Sequence, residues 1–125
     1  MIYLANSFSL QMLAGDQCIT VRKTDLRHVA EKLSAQNYIP AIGHEDLAGI
    51  ASAMLEKALV PIPSGGLYDR CRVTLHPGDE LIVLQVVGQR LPIGCKDLPD
   101  GVKLEWFHIE TTSPGDSSFL QKSIS

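Results

Sequence analysis

The sequence predicts a single α/β domain, a mixed β-sheet flanked by α-helices. Three observations predict it. Short runs rich in β-branched and apolar residues recur from Ile2 to Glu110. A long apolar stripe at helical spacing lies between them. Strands and helices do not alternate strictly, which excludes a doubly wound nucleotide-binding sheet.

Ile2 to Leu4 opens the sheet as a short buried strand. Cys18 to Arg22 (CITVR) is a second strand. Thr24 then caps a helix in which Leu26, Val29, Ala30 and Leu33 recur at helical spacing. Asn37 to Pro40 ends that element. In the next helix, Leu47, Ile50, Ala51, Met54, Leu55 and Ala58 form one apolar stripe. Gly43 and His44 stand at its start, with Glu45 and Asp46 in the first turn, where negative charge suits the helix dipole. Pro61 and Pro63 stop it. Arg70 to Leu75 reads as the first strand of a hairpin that turns at Pro77-Gly78. Glu80 to Val87 is apolar on both faces and belongs in the middle of the sheet. Gly88 to Gly94 is a loop, and Lys103 to Glu110 is the last strand. The domain therefore spans residues 1–110, and residues 111–125, rich in Ser, Gly and Thr, form a flexible tail.

The chain has 125 residues, 45% hydrophobic and 20% charged, enough for one real core and unlike a disordered chain. Its net charge is −3, and its 11 Lys and Arg form no run. A grip on long nucleic acid is excluded, because phosphate contacts call for a basic surface. A small anionic ligand held by a few placed arginines remains open. Three cysteines with no CxxC pair suggest neither a disulfide framework nor a cysteine zinc site. No apolar run is long enough for a membrane span, and MIYLANSFSL lacks the basic start of a signal peptide, so the cytoplasm is the expected compartment. His28, His44, His76 and His108 show no metal-ligand spacing, so neither metal nor cofactor is expected. GxSxG and GxxxxGK[ST] are both missing, which removes hydrolase-elbow and P-loop readings.

His44 follows Gly43 at a helix N-terminus, whose free N–H groups attract phosphate. By position alone it is either a residue that merely starts the helix or one that moves protons at an anion site. Asn6, Ser7 and Ser9 follow the first strand and either cap the next turn or touch a ligand. Arg70, Arg72 and Arg90, with Gln89, lie on the outer face and exit of the hairpin. Arginines there are solvated unless they share an anionic partner.

These residues occur together in NSFS (Asn6 to Ser9), AIGH (Ala41 to His44), DRCRVTLHPGDELIVLQVVGQRLP (Asp69 to Pro92) and LEWFHIE. In that order they resemble the small viral type III anti-CRISPR ring nucleases over roughly residues 1 to 110. The resemblance implies a two-fold homodimer whose ligand, cyclic tetra-adenylate, sits across the axis. Each arginine then acts twice, so few are needed. It implies cleavage without metal: a ribose 2′-OH attacks the neighbouring phosphate, and the product is linear di-adenylate. Carried over by motif, His44 protonates the leaving 5′-oxygen and Arg90 stabilises the phosphoryl charge. Asn6 and Ser9 position the ligand, while Arg70 and Gln89 grip it.

Two positions depart from the family pattern. Ile93 stands where a glutamate follows QRLP, and Leu47 stands where archaeal members carry a small hydroxyl residue. Both bear on turnover more than on binding. A protein that sequesters the ring without efficient cleavage is therefore the alternative. A scaffold with no nucleotide ligand needs none of Asn6, Ser9, His44 and Arg90.

Overall fold

A computed structural model describes residues 1–88, 90–94 and 98–114. Five strands form one sheet: β1 (Ile2–Ala5), β2 (Cys18–Thr24), β3 (Ile39–Ala41), β4 (Glu80–Gly88) and β5 (Val102–Thr112), in the order β2-β5-β4-β1-β3. β1 runs parallel to β3 and β4, while β5 is antiparallel to β4 and β2. The sheet is mixed, as expected. β4 lies at its centre and Leu81 to Leu84 are buried, which explains a strand apolar on both faces.

Helices α1 (Leu26–Ala35) and α2 (Glu45–Lys57) share one face of the sheet. Val29 and Leu33 of α1, with Leu47, Ile50, Ala51 and Leu55 of α2, pack on Ile2, Leu4, Ile82, Leu84 and Trp106. Burying each large apolar side chain contributes about 1.5–3 kcal/mol. The opposite face is covered by Phe8, Met12, Leu13, Val73 and Leu75.

Four sequence expectations need correction. Asp25, not Thr24, caps α1: its carboxylate accepts from the His28 amide at 2.9 Å, while Thr24 ends β2. Asn37 to Pro40 does not simply end α1, because Ile39–Ala41 pairs with β1 at the sheet edge. Proline is tolerated there, since an edge strand leaves one side of its backbone unpaired. Arg70 to Leu75 is not the first strand of a hairpin. Its alternation buries Val73 and Leu75, but its only ladder contact among the described residues is an isolated bridge from Leu75 to Leu13. The turn at Pro77-Gly78 does form, closed by Asp79 N–H to His76 O at 2.9 Å with Gly78 at φ 96°. Finally, β5 runs on to Thr112, two residues into the expected tail, and residues 115–125 lie outside the described residues.

α2 ends before either proline. Val60 N–H returns to Leu55 O at 2.9 Å, and Leu59 takes the left-handed conformation at φ 62°. Leu59 is 87% exposed, so its side chain offers little packing to offset that backbone. Leu59→Gly is expected to raise unfolding stability by about 1 kcal/mol, read as a higher urea midpoint at unchanged slope.

Candidate functional site

The parallel strands β1, β3 and β4 share one carboxyl end, and four of the predicted site residues, His44, Arg90, Asn6 and Arg70, gather there. Ligands of open α/β sheets commonly bind beyond the carboxyl ends of parallel strands. β3 leads through Ile42 and Gly43 into α2, and His44 is the N-cap of that helix. Its Nδ1 accepts from the Leu47 amide at 3.1 Å. The ring hydrogen therefore sits on Nε2, and the imidazole is exposed. Leu47 has its own structural reason: its side chain is 2% exposed in the core beneath.

Asn6 and Arg70 hold the peptide just before His44. Asn6 Oδ1 accepts from Gly43 N–H at 3.0 Å, and Arg70 Nε donates to Gly43 O at 3.4 Å. Gly43 is not demanded by the fold. A Cβ there would stand 3.8 Å from Arg70 Cγ and 3.9 Å from Asn6 Oδ1, which is ordinary contact.

Arg90 arrives from the other side. Gly88 ends β4 at φ 88°, and a Cβ on it would come 2.8 Å from the Gly101 carbonyl oxygen. Only glycine fits that departure from the strand. The loop then crosses to α2, where Gly94 N–H donates to Asp46 Oδ2 at 2.8 Å. Between loop and helix lies a cleft of about 760 Å³ lined by His44, Val86, Arg90, Leu91, Pro92 and Ile93. Ile93 is fully exposed in it. No ion pair involves Arg70 or Arg90 among the described residues.

The structure thus brings His44, Arg90 and Ile93 together, with Asn6 and Arg70 as supports behind Gly43. It does not bring Ser9 to them. Ser9 caps a short 3-10 turn, Leu10–Met12, by accepting from Gln11 N–H at 3.3 Å, and lines a separate hollow with Cys71 and Arg72. Gln89 lies outside the described residues. Another hollow, of about 600 Å³ between the end of α1 and Pro61 to Pro63, has no charged lining residue.

One group escaped the sequence reading. Glu80, His108 and Glu110 meet on the helix-facing side of β4 and β5, and His28 and Lys32 of α1 reach them. They come from three elements, so no local spacing signals them.

No helix among the described residues is long and apolar enough to cross a membrane. The fold has a solved counterpart in B116 of Sulfolobus turreted icosahedral virus (STIV). It is similar at a TM-score of 0.69 and 24% identity, covering 87% of this chain and 97% of that one. No curated protein matches. A family model described as STIV B116-like matches residues 2–98, a span that takes in each predicted site residue from Asn6 to Arg90. The chain belongs to the STIV B116-like family.

Proposed function

We propose that this protein is a metal-independent phosphodiesterase that opens cyclic tetra-adenylate to linear di-adenylate and so suppresses type III CRISPR defence. The cytoplasm of a virus-infected host cell is its place of action. One observation carries the reading: His44 and Arg90 face a single cleft at the carboxyl end of the parallel strands. A proton donor and a guanidinium across one gap suit an in-line attack by a ribose hydroxyl. The ribose O2′–P bond forms as the P–O5′ bond breaks; the hydroxyl proton passes to solvent, His44 protonates the leaving 5′-oxygen, Arg90 stabilises the phosphoryl charge, and each linear di-adenylate ends in a 2′,3′-cyclic phosphate. The described lining of the cleft offers one imidazole and no carboxylate, a poor donor set for a metal.

The ring has four phosphates and each chain brings few placed cations. A two-fold dimer doubles them and matches the symmetry of the ligand. Val21 is 53% exposed beside Phe8 and Phe107 on the sheet face away from the helices, which leaves apolar area for a partner copy. Light scattering is expected to give a dimer binding one ring per pair of chains. A monomer binding one ring per chain refutes that arrangement.

The deciding assay incubates the protein with labelled cyclic tetra-adenylate in EDTA, then measures products and retained ligand. Linear di-adenylate is expected, at a rate unchanged by the chelator. Activity that needs added Mg²⁺ or Mn²⁺ refutes the metal-free chemistry.

The sequestering alternative is favoured by Ile93. An alkyl group fully exposed in the cleft cannot accept a proton or orient a hydroxyl. Slow cleavage with tight binding is the expected behaviour. Ile93→Glu is expected to speed single-turnover cleavage at least about 10-fold, a conservative figure for one placed acid–base group. An unchanged rate at unchanged affinity shows that this side chain is not the missing group.

A further inference from the structure

The loop that carries Arg90 leaves β4 at Gly88 and rejoins the sheet at Val102, which stands opposite Gly88 in the β4–β5 register. Two of its described residues are fastened to the body of the protein. Leu91 is 8% exposed and belongs to the core that both helices share with the sheet. Three residues on, Gly94 N–H donates to Asp46 Oδ2 at 2.8 Å. A single buried anchor fixes a point and lets the chain on either side pivot about it. A second anchor three residues away removes the pivot. Arg90 directly precedes Leu91, so the direction of its backbone depends on both.

Asp46 stands in the first turn of α2, two residues after His44. It is half-buried and makes no ion pair among the described residues. No cation holds its carboxylate there, and the Gly94 amide meets it in a charge-assisted hydrogen bond, about twice as strong as one between neutral groups. An acid in a first turn ordinarily serves the helix dipole, and Glu45 beside it serves that as well. The dipole does not account for a side chain that reaches out to a loop.

We propose that Asp46 is a positioning residue for Arg90. It latches the arginine loop to the same helical turn that His44 caps, so one hydrogen bond sets how far the guanidinium stands from the imidazole. The consequence for cleavage rests on the phosphodiesterase reading; the latch itself rests on geometry alone. Asp46 is outside the described lining of the cleft, so it acts through the loop backbone and not on the ring. A misplacement of about 1 Å can cost about 100-fold in rate. Leu91 stays in the core when the latch is cut, which limits the displacement. Asparagine keeps an accepting oxygen and gives up the charge, so it separates the latch from the dipole.

The test uses the full chain. Exchange of the Gly94 amide hydrogen, followed by NMR, is expected to speed at least about 10-fold in Asp46→Ala and to stay near wild type in Asp46→Asn. Single-turnover cleavage of labelled cyclic tetra-adenylate is expected to slow at least about 10-fold in Asp46→Ala, with Kd within about threefold of wild type, and to recover most of its rate in Asp46→Asn. In an Arg90→Ala background, Asp46→Ala is expected to cost less than about twofold more, because the group it places is gone. A merely structural role lowers the melting temperature and leaves no such coupling. Equal Gly94 exchange in wild type and Asp46→Ala overturns the latch. Rate losses that multiply in full with Arg90→Ala, or an asparagine variant as slow as alanine, overturn its link to Arg90. A wild-type protein that leaves the ring intact overturns the phosphodiesterase reading, and Gly94 exchange then decides the latch by itself.

Discussion

His44→Ala is expected to lower single-turnover cleavage of cyclic tetra-adenylate by about 10²- to 10⁴-fold while ligand affinity stays nearly constant. That range is what a positioned general acid contributes, and a leaving-group acid acts mainly in the transition state. The structure adds a second consequence. His44 Nδ1 caps α2 through the Leu47 amide, so alanine also removes a cap, at a cost of about 1 kcal/mol. His44→Asn separates the two roles: its side-chain oxygen restores a cap and it has no proton to give. Loss of cleavage in both variants, with the melting temperature recovered only in asparagine, assigns the chemistry to the ring. Wild-type cleavage in asparagine reduces His44 to a cap. The cap also constrains the mechanism. A hydrogen on Nδ1 and a bond accepted at Nδ1 exclude one another. An acid role for the imidazolium form would therefore require the Leu47 bond to open.

Much of this arrangement was legible in the sequence, for identifiable reasons. The α2 stripe and the doubly apolar β4 follow periodicities set by burial, and the structure buries them accordingly. His44 and Arg90 were legible only as a recurring set of motifs, since each alone looks like an ordinary surface residue. What was lost depends on neighbours. The three residues of β3 include Pro40 and gain strand character only from β1 beside them. Arg70 to Leu75 alternates because one side packs under the sheet, and alternation is silent about whether a strand partner exists. Ser9 follows the first strand as Asn6 does, yet the chain turns between them and carries it to another hollow. His28 and His108 are 80 residues apart, so their meeting is a property of the fold alone.

Arg90→Ala is expected to lower the single-turnover rate by about 10²- to 10³-fold, the usual loss when one preorganised donor to a developing oxyanion is removed. Arg90 makes no ion pair among the described residues and is exposed, so its removal is expected to move stability by no more than about 0.5 kcal/mol. Its position comes from the backbone instead: Gly88 releases the loop from β4, and the Gly94 bond to Asp46 pins the loop to α2. A guanidinium so placed offers two parallel N–H groups to two phosphoryl oxygens. Arg90→Lys keeps the charge and loses that fork, so its rate is expected to fall between wild type and alanine. Where the loss lands decides the function. A rate that falls while Kd changes less than about tenfold places Arg90 on the transition state, as the phosphodiesterase reading requires. A loss borne wholly by Kd makes Arg90 a grip on the ground-state ring. The cleft would then bind cyclic tetra-adenylate equally well along the reaction path, which is sequestration rather than catalysis.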